Sequence, residues 1–209
     1  MKKRQITLSV ALVLLLVIID QWIKIYVKTH FALHETYEVA SWFKLVFVEN
    51  NGMAFGMELG AKILLTLFRL VACGGIIWYM VRLIKRAAPT GYLLTIGVIL
   101  AGALGNIVDC MFYGLVFDNP AQGVAQFVPF GEGYGPFLEG RVVDMFYFPL
   151  FEFNWPEWLP FVGGDHFIFF SPVFNFADAC ISCGVVAFIL FYHKQLTRKG
   201  EKEPVDAHE

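Results

Sequence analysis

A chain of 209 residues that is 57% hydrophobic and 16% charged, with a mean hydropathy of +0.60, is too apolar for a soluble domain, where about a quarter of residues are charged. Its length leaves room for one bundle of a few membrane helices and no separate soluble domain, and a formal net charge of −2 carries no footprint for nucleic acid. The four cysteines lie mostly in apolar runs, and Cys180-Ile-Ser-Cys183 lacks the βαβ context of a redox pair.

At the amino terminus, Lys2-Lys3-Arg4 precedes an apolar run, as in a secretory signal, but no small-x-small cleavage site follows. The run passes through Asp20-Gln21-Trp22-Ile23-Lys24 and continues to Val27. Residues 6–27 make about 33 Å of helix, enough to cross a hydrocarbon core of about 30 Å. They are read as an uncleaved first transmembrane helix. Residues 28–60 are too polar to cross; they contain a strand pattern over Trp42–Val48 and a turn signal at Glu49-Asn50-Asn51-Gly52. A second helix is expected over 62–84 and a third over 92–113, joined through Ala87-Ala88-Pro89-Thr90-Gly91. Residues 115–170 form a long Phe-, Pro- and Gly-rich loop in which Arg141 is the one basic residue among seven acidic ones. Ser171-Pro172 reads as an N-cap followed by proline at the first helical position, opening a fourth helix over 172–193. The polar tail, 198–209, is expected to be disordered.

The expected fold is therefore an all-α membrane protein with four transmembrane helices, a small β-rich or irregular extracytoplasmic segment (28–60) and a long periplasmic loop (115–170). Residues 1–197 form a single membrane-embedded domain in this reading. With four spans, Lys2, Lys3 and Arg4, the Arg82/Lys85/Arg86 turn and the Lys194/Arg198/Lys199 tail share one side. The bias of Lys and Arg makes that side cytoplasmic, with both termini on it.

Two carboxylates stand out: Asp144 in Gly140-Arg-Val-Val-Asp-Met-Phe146, and Asp178 in Phe174-Asn-Phe-Ala-Asp178. Each sits among aromatic and aliphatic residues, where a lone charge costs several kcal/mol and is usually paired, neutralised or functional. Counted from Pro172, Asp178 lies about 9 Å inside its helix. Asp144 sits on a segment expected to dip back to the outer membrane surface, at matched depth. On the third helix, Gly102, Asn106, Asp109 and Tyr113 share one face, and Gly102 and Gly105 allow a neighbouring helix close approach. Asn175 and Asp178 share a face of the fourth. Asp20 and Lys24 form an i,i+4 pair. Two carboxylates sharing a proton suit aspartyl proteolysis. They suit equally a small transporter or proton relay, so spacing alone leaves both open. The Gly-x-Ser-x-Gly of a serine protease, the His-Glu-x-x-His of a metalloprotease and the Gly-x-Gly-Asp of a presenilin-type enzyme do not occur. A transporter's repeated helix pairs are not evident either.

Asp20-Gln-Trp-Ile-Lys24, Asn50-Asn-Gly52-Met-Ala-Phe-Gly56, Gly102-Ala-Leu-Gly105-Asn106-Ile-Val-Asp109, Val142-Val-Asp144-Met145 and Phe174-Asn175-Phe-Ala177-Asp178 occur in this order. Together they strongly resemble the lipoprotein signal peptidases (signal peptidase type II) of bacteria. The long Phe-rich insertion resembles Bacteroidetes-like members. The resemblance implies a catalytic dyad at Asp144 and Asp178, with Asp20, Lys24, Asn50, Gly52, Gly105, Asn106, Asp109, Asn175 and Ala177 shaping the site or binding substrate. It implies an aspartic endopeptidase of the bacterial inner membrane, its site near the outer face. The substrate is a prolipoprotein whose Cys already carries diacylglycerol, cleaved just before that Cys. Inhibition by globomycin-type cyclic peptides and no metal or organic cofactor follow from the same resemblance; contacts with membrane lipids are expected, and a monomer suffices for this chemistry. The family usually has Arg after the aspartate of Gly-Asn-x-x-Asp; here the residue is Cys110, and Arg141 is the candidate to replace it by charge.

Overall fold

The computed structural model describes residues 2–50 and 59–193; Gly52 and the tail 198–209 lie outside them. Among the described residues, three helices are long and apolar enough to cross a membrane. They are α1 (Lys2–His30), α2 (Leu59–Lys85) and α3 (Thr90–Val108), the last prolonged by a π-helical turn (Asp109–Tyr113) and a short α4 (Gly114–Val116). The final helix, α5 (Phe176–Tyr192), is apolar but has 17 residues, below the roughly 20 that a span takes. α3 packs against α1, α2 and α5, and its Leu93, Ile96, Leu100 and Ile107 fill the bundle core. α1 and α2 turn Leu14, Leu15, Ile18, Leu64, Phe68 and Val71 outward, as helices do whose outer faces meet lipid rather than water.

The last helix begins four residues later than Ser171-Pro172 suggests. Phe174 is still extended: its N–H donates to Phe146 O (3.0 Å), and its carbonyl accepts from the Phe146 and Met145 N–H groups. Asn175, at φ −117° and ψ 178°, is the N-cap. Its side chain accepts from Asp178 N (2.9 Å) while its own N–H donates to the Asp178 carboxylate (3.4 Å). This reciprocal capping box satisfies two orphan amides and outcompetes the proline signal. Asp178 is consequently in the first helical turn, about 3 Å from the helix start at Phe176 rather than 9 Å.

The fold is not all-α. Strands β1 (Thr36–Ala40), β2 (Phe43–Asn50) and β3 (Val142–Tyr147) form an antiparallel sheet in that order, and β4 (Phe151–Asn154) pairs with β5 (His166–Phe169) in a separate hairpin. Glu49 and Asn50, read as turn residues, are the last residues of β2 and pair with Val143 and Val142. Asp144 therefore rides on a strand within the segment expected to be loop. Strand alternation decides where it points. Val143 and Met145 are fully buried in a second core with Val27, Phe47, Tyr113 and Phe117. Asp144, between them, faces the opposite side and opposes Val48.

Candidate active site

The ladder between Phe146 and Phe174 brings the end of β3 to the start of α5, and so Asp144 to Asn175 and Asp178. Asn175 Nδ2 donates to Asp144 Oδ1 (2.6 Å) and to Asn106 Oδ1 (3.1 Å), and Asn106 Nδ2 donates to Asp178 Oδ1 (2.8 Å). Asn50 Nδ2 donates to the other Asp144 oxygen (3.2 Å). The two carboxylates thus hang from one frame of neutral amides contributed by β2, α3 and the α5 cap. Among the described residues neither is in an ion pair. Asp144 is 3% exposed. Burial first, and the neighbouring Asp178 charge second, push its carboxyl up to about 6, against the hydrogen bonds from Asn50 and Asn175. A carboxyl raised in this way can hold a proton beside an ionised partner, the arrangement that general acid–base chemistry needs.

Directly behind the frame lies a second cluster. Lys24, wholly buried, reaches Asp109 Oδ2 (2.8 Å), Asp20 Oδ2 (3.0 Å) and Asn106 Oδ1 (2.8 Å). Asp20 Oδ1 accepts from Ala177 N (2.9 Å), the second amide of the α5 start, and Asp109 Oδ2 accepts from Val143 N (3.3 Å). The cluster therefore ties α1 to β3, α3 and α5 just beside the dyad. Gly105 is required by this contact: a Cβ there would lie 3.0 Å from Asp20 Cγ and 3.2 Å from Ala177 Cβ. Asp20 and Lys24 are more than a helix-surface pair; they are the centre of a buried three-charge network. The π-helical turn at Asp109 frees the Cys110 carbonyl to accept from Gly140 N (2.8 Å), which fixes the approach to β3.

Ten of the twelve anticipated positions converge here: Asp20, Lys24, Asn50, Gly105, Asn106, Asp109, Asp144, Asn175, Ala177 and Asp178. Gly52 lies outside the described residues. Arg141 does not stand at Cys110. Its guanidinium bonds Glu49 (2.8 Å) and Asn119 (3.1 Å) and lies over the Tyr134 ring. Charge pairing wins, because the same Glu49 also holds buried Lys28, enclosed by Phe47, Phe117 and Tyr134. The guanidinium at Cys110 is that of Arg69 on α2, whose Nη1 lies 3.3 Å from the sulfur. Sequence reasoning passed over Arg69, although a lone arginine inside an apolar run was the available signal. It also gave no role to Gln21, which donates to Asp109 (2.8 Å), Asp20 (3.1 Å) and the Gly105 carbonyl (3.1 Å) and accepts from Tyr113 (3.1 Å).

A model of the signal peptidase (SPase) II family matches residues 12–194. The lipoprotein signal peptidase of Porphyromonas gingivalis is 49% identical over 188 residues, covering 90% of this chain and 83% of that protein. That of Amoebophilus asiaticus is 36% identical over 184 residues, covering 85% and 74%. Two solved structures, each described as a bacterial membrane enzyme, share the fold. One has a TM-score of 0.59 at 24% identity over 95% of this chain and 94% of the other, and the second a TM-score of 0.60 at 23% over 90% and 94%.

Proposed function

The chain belongs to the signal peptidase (SPase) II family, and we propose that Asp144 and Asp178 are its catalytic pair, acting as an aspartyl endopeptidase. As a family member it is a multi-pass bacterial membrane peptidase that removes signal peptides from prolipoproteins. The observation that carries the aspartyl reading is the shared amide frame. Asp144 and Asp178 are joined through Asn175 and Asn106, with no ion-pair partner for either among the described residues.

The ionised member of the pair takes a proton from a water that attacks the scissile carbonyl. The protonated member hydrogen-bonds that carbonyl and then protonates the departing amine, the nitrogen of the diacylglyceryl-modified Cys. The pair titrates as a unit, and the proton belongs to neither residue alone. Asn175 and Asn106 hold the carboxylates at fixed separation. Lys24, Asp20 and Asp109 hold Asn106 and the α5 start, and Asn50 bonds the outward oxygen of Asp144.

In this reading residues 1–197 are one peptidase unit in the inner membrane. α5 is the fourth span, shortened because its first turn is the catalytic element. Both termini are cytoplasmic and the dyad lies near the outer face, where a lipid-anchored cleavage site arrives. Globomycin-type peptides compete at the same frame, and a monomer suffices.

The test is turnover of a diacylated and an unacylated prolipoprotein by purified, reconstituted enzyme. Asp144→Asn and Asp178→Asn are each expected to reduce cleavage of the acylated substrate by roughly 10³-fold or more, with the double variant no worse than either single, since groups acting as a unit are not additive. Folded protein with retained turnover in either single variant sinks the assignment.

A further inference from the structure

Far from the dyad, an apolar cleft of about 570 Å³ opens between α1 and α2. α3 closes its floor with Leu100 and Leu104, and Val13 and Met80 form its walls. Leu100 on the floor is buried while the rim residues Val10, Leu14, Ile77 and Val81 are roughly half exposed, so the cleft opens sideways, toward the bilayer. Along α1 it runs from Lys2 to Leu14, about 18 Å. That is little more than one leaflet of a hydrocarbon core about 30 Å thick.

We propose that this cleft is a binding site for an anionic phospholipid, with an acyl chain between the helices and the phosphate at Lys2 and Lys85. Three observations favour this occupant. The two lysines line the cleft at one end, the first residue described in α1 and the last residue of α2, and neither is in an ion pair among the described residues. Basic pockets between helices at a membrane face suit phosphate headgroups. Ser9, 4% exposed, lines the cleft with a hydroxyl that has no hydrogen-bond partner among the described residues. It is a buried donor about 10 Å along α1 from Lys2, on the cleft's side of the helix. A signal-peptide helix fits poorly by contrast. Its basic amino-terminal region would face Lys2 and Lys85, and a spanning segment needs the full core thickness. On the topology proposed above, the site faces the cytoplasmic leaflet, opposite the dyad.

Native mass spectrometry of the full chain, titrated with phosphatidylglycerol and phosphatidylcholine of matched acyl chains, tests the site. Wild type is expected to hold one phosphatidylglycerol roughly tenfold or more tighter than phosphatidylcholine. Lys2→Gln/Lys85→Gln brings that ratio to about one. Val10→Trp, which fills the cleft from its exposed rim without disturbing the floor, weakens both lipids. Equal affinity for the two lipids in wild type, a ratio unchanged by the lysine variant, or phosphatidylglycerol retention unchanged by Val10→Trp each overturns the proposal. So does displacement of the bound lipid by a synthetic signal-peptide helix at stoichiometric concentration.

Discussion

Two pairs of aspartates sit on either side of Asn106, the first wholly buried and the second made of buried Asp144 and partly exposed Asp178. Asp20 and Asp109 surround the Lys24 ammonium, and main-chain amides of Ala177 and Val143 complete their acceptor sites. Among the described residues, Asp144 and Asp178 receive neutral donors, from Asn50, Asn106 and Asn175 and from the Asn175 main chain. The first pair is compensated and locked. In the second, Asp144 is buried and faces the like charge of Asp178, and burial with that like charge lifts Asp144 to about 6. Under the proposed function, the pair without an ion-pair partner among the described residues carries the chemistry and the compensated pair supports it. Removing charge should therefore have opposite consequences in the two places.

The largest effect is expected at Lys24. Lys24→Met leaves two carboxylates buried without a cation, and loss of one partner from a buried pair costs about 3–5 kcal/mol. Reversible unfolding in mixed micelles measures it. Asp144→Asn, at neutral pH, relieves an unfavourable ionisation and should be neutral or slightly stabilising in the same experiment. If Asp144→Asn destabilises as much as Lys24→Met, the two pairs are not different in kind and Asp144 is a structural carboxylate.

Asn175 separates holding from capping. Asn175→Asp keeps an acceptor for Asp178 N, and aspartate caps a helix about as well as asparagine, so the helix start should be retained, although a further carboxylate at this wholly buried position costs several kcal/mol unless it takes up a proton. The substitution removes the Nδ2 donor to Asp144 and Asn106 and adds a third carboxylate beside the pair. Small misplacement of reacting groups costs on the order of 10²-fold in rate, and prolipoprotein cleavage should fall by at least that. Wild-type turnover in folded Asn175→Asp would reduce Asn175 to a cap.

Much of this site was legible in the chain because apolar runs make polar residues conspicuous. Asp20, Lys24, Asn106, Asp109 and Asp178 are each expensive where they lie, and the 3.6-residue period put Asn106 and Asp109 on one face. Their partners were harder to see, since contacts such as Ala177 N to Asp20 Oδ1 join residues 157 apart. β3 was hidden for a different reason: Val-Val-Asp-Met-Phe-Tyr has strand character, but its pairing partner β2 lies about 90 residues earlier and the flanking Pro and Gly dominate the composition. The start of α5 was misplaced because Pro172 is a strong local signal, and only the ladder from Phe146 to Phe174 shows that the chain is still extended there. Arg141 was matched to Cys110 and Arg69 passed over because charge says nothing about which element a side chain faces.

The finest distinction is in pH dependence. A carboxyl whose folded value is raised from 3.8 to about 6 binds, between those limits, a proton that the unfolded chain releases. Its contribution to stability is present in full below about pH 3.8 and is lost as pH rises through about 6, the reverse of a salt-bridged aspartate. Catalysis by the pair needs one shared proton, so kcat/KM, which reports the free enzyme, should fall as pH rises through about 6. Asn50→Ala removes a donor that favours ionised Asp144. A net hydrogen bond of about 0.5–1.5 kcal/mol corresponds to a shift of up to roughly one pH unit, and the falling limb should move upward by that amount while the fold is retained. A limb that stays in place in Asn50→Ala belongs to some group other than Asp144, and the proton assigned to the dyad would have to be sought elsewhere.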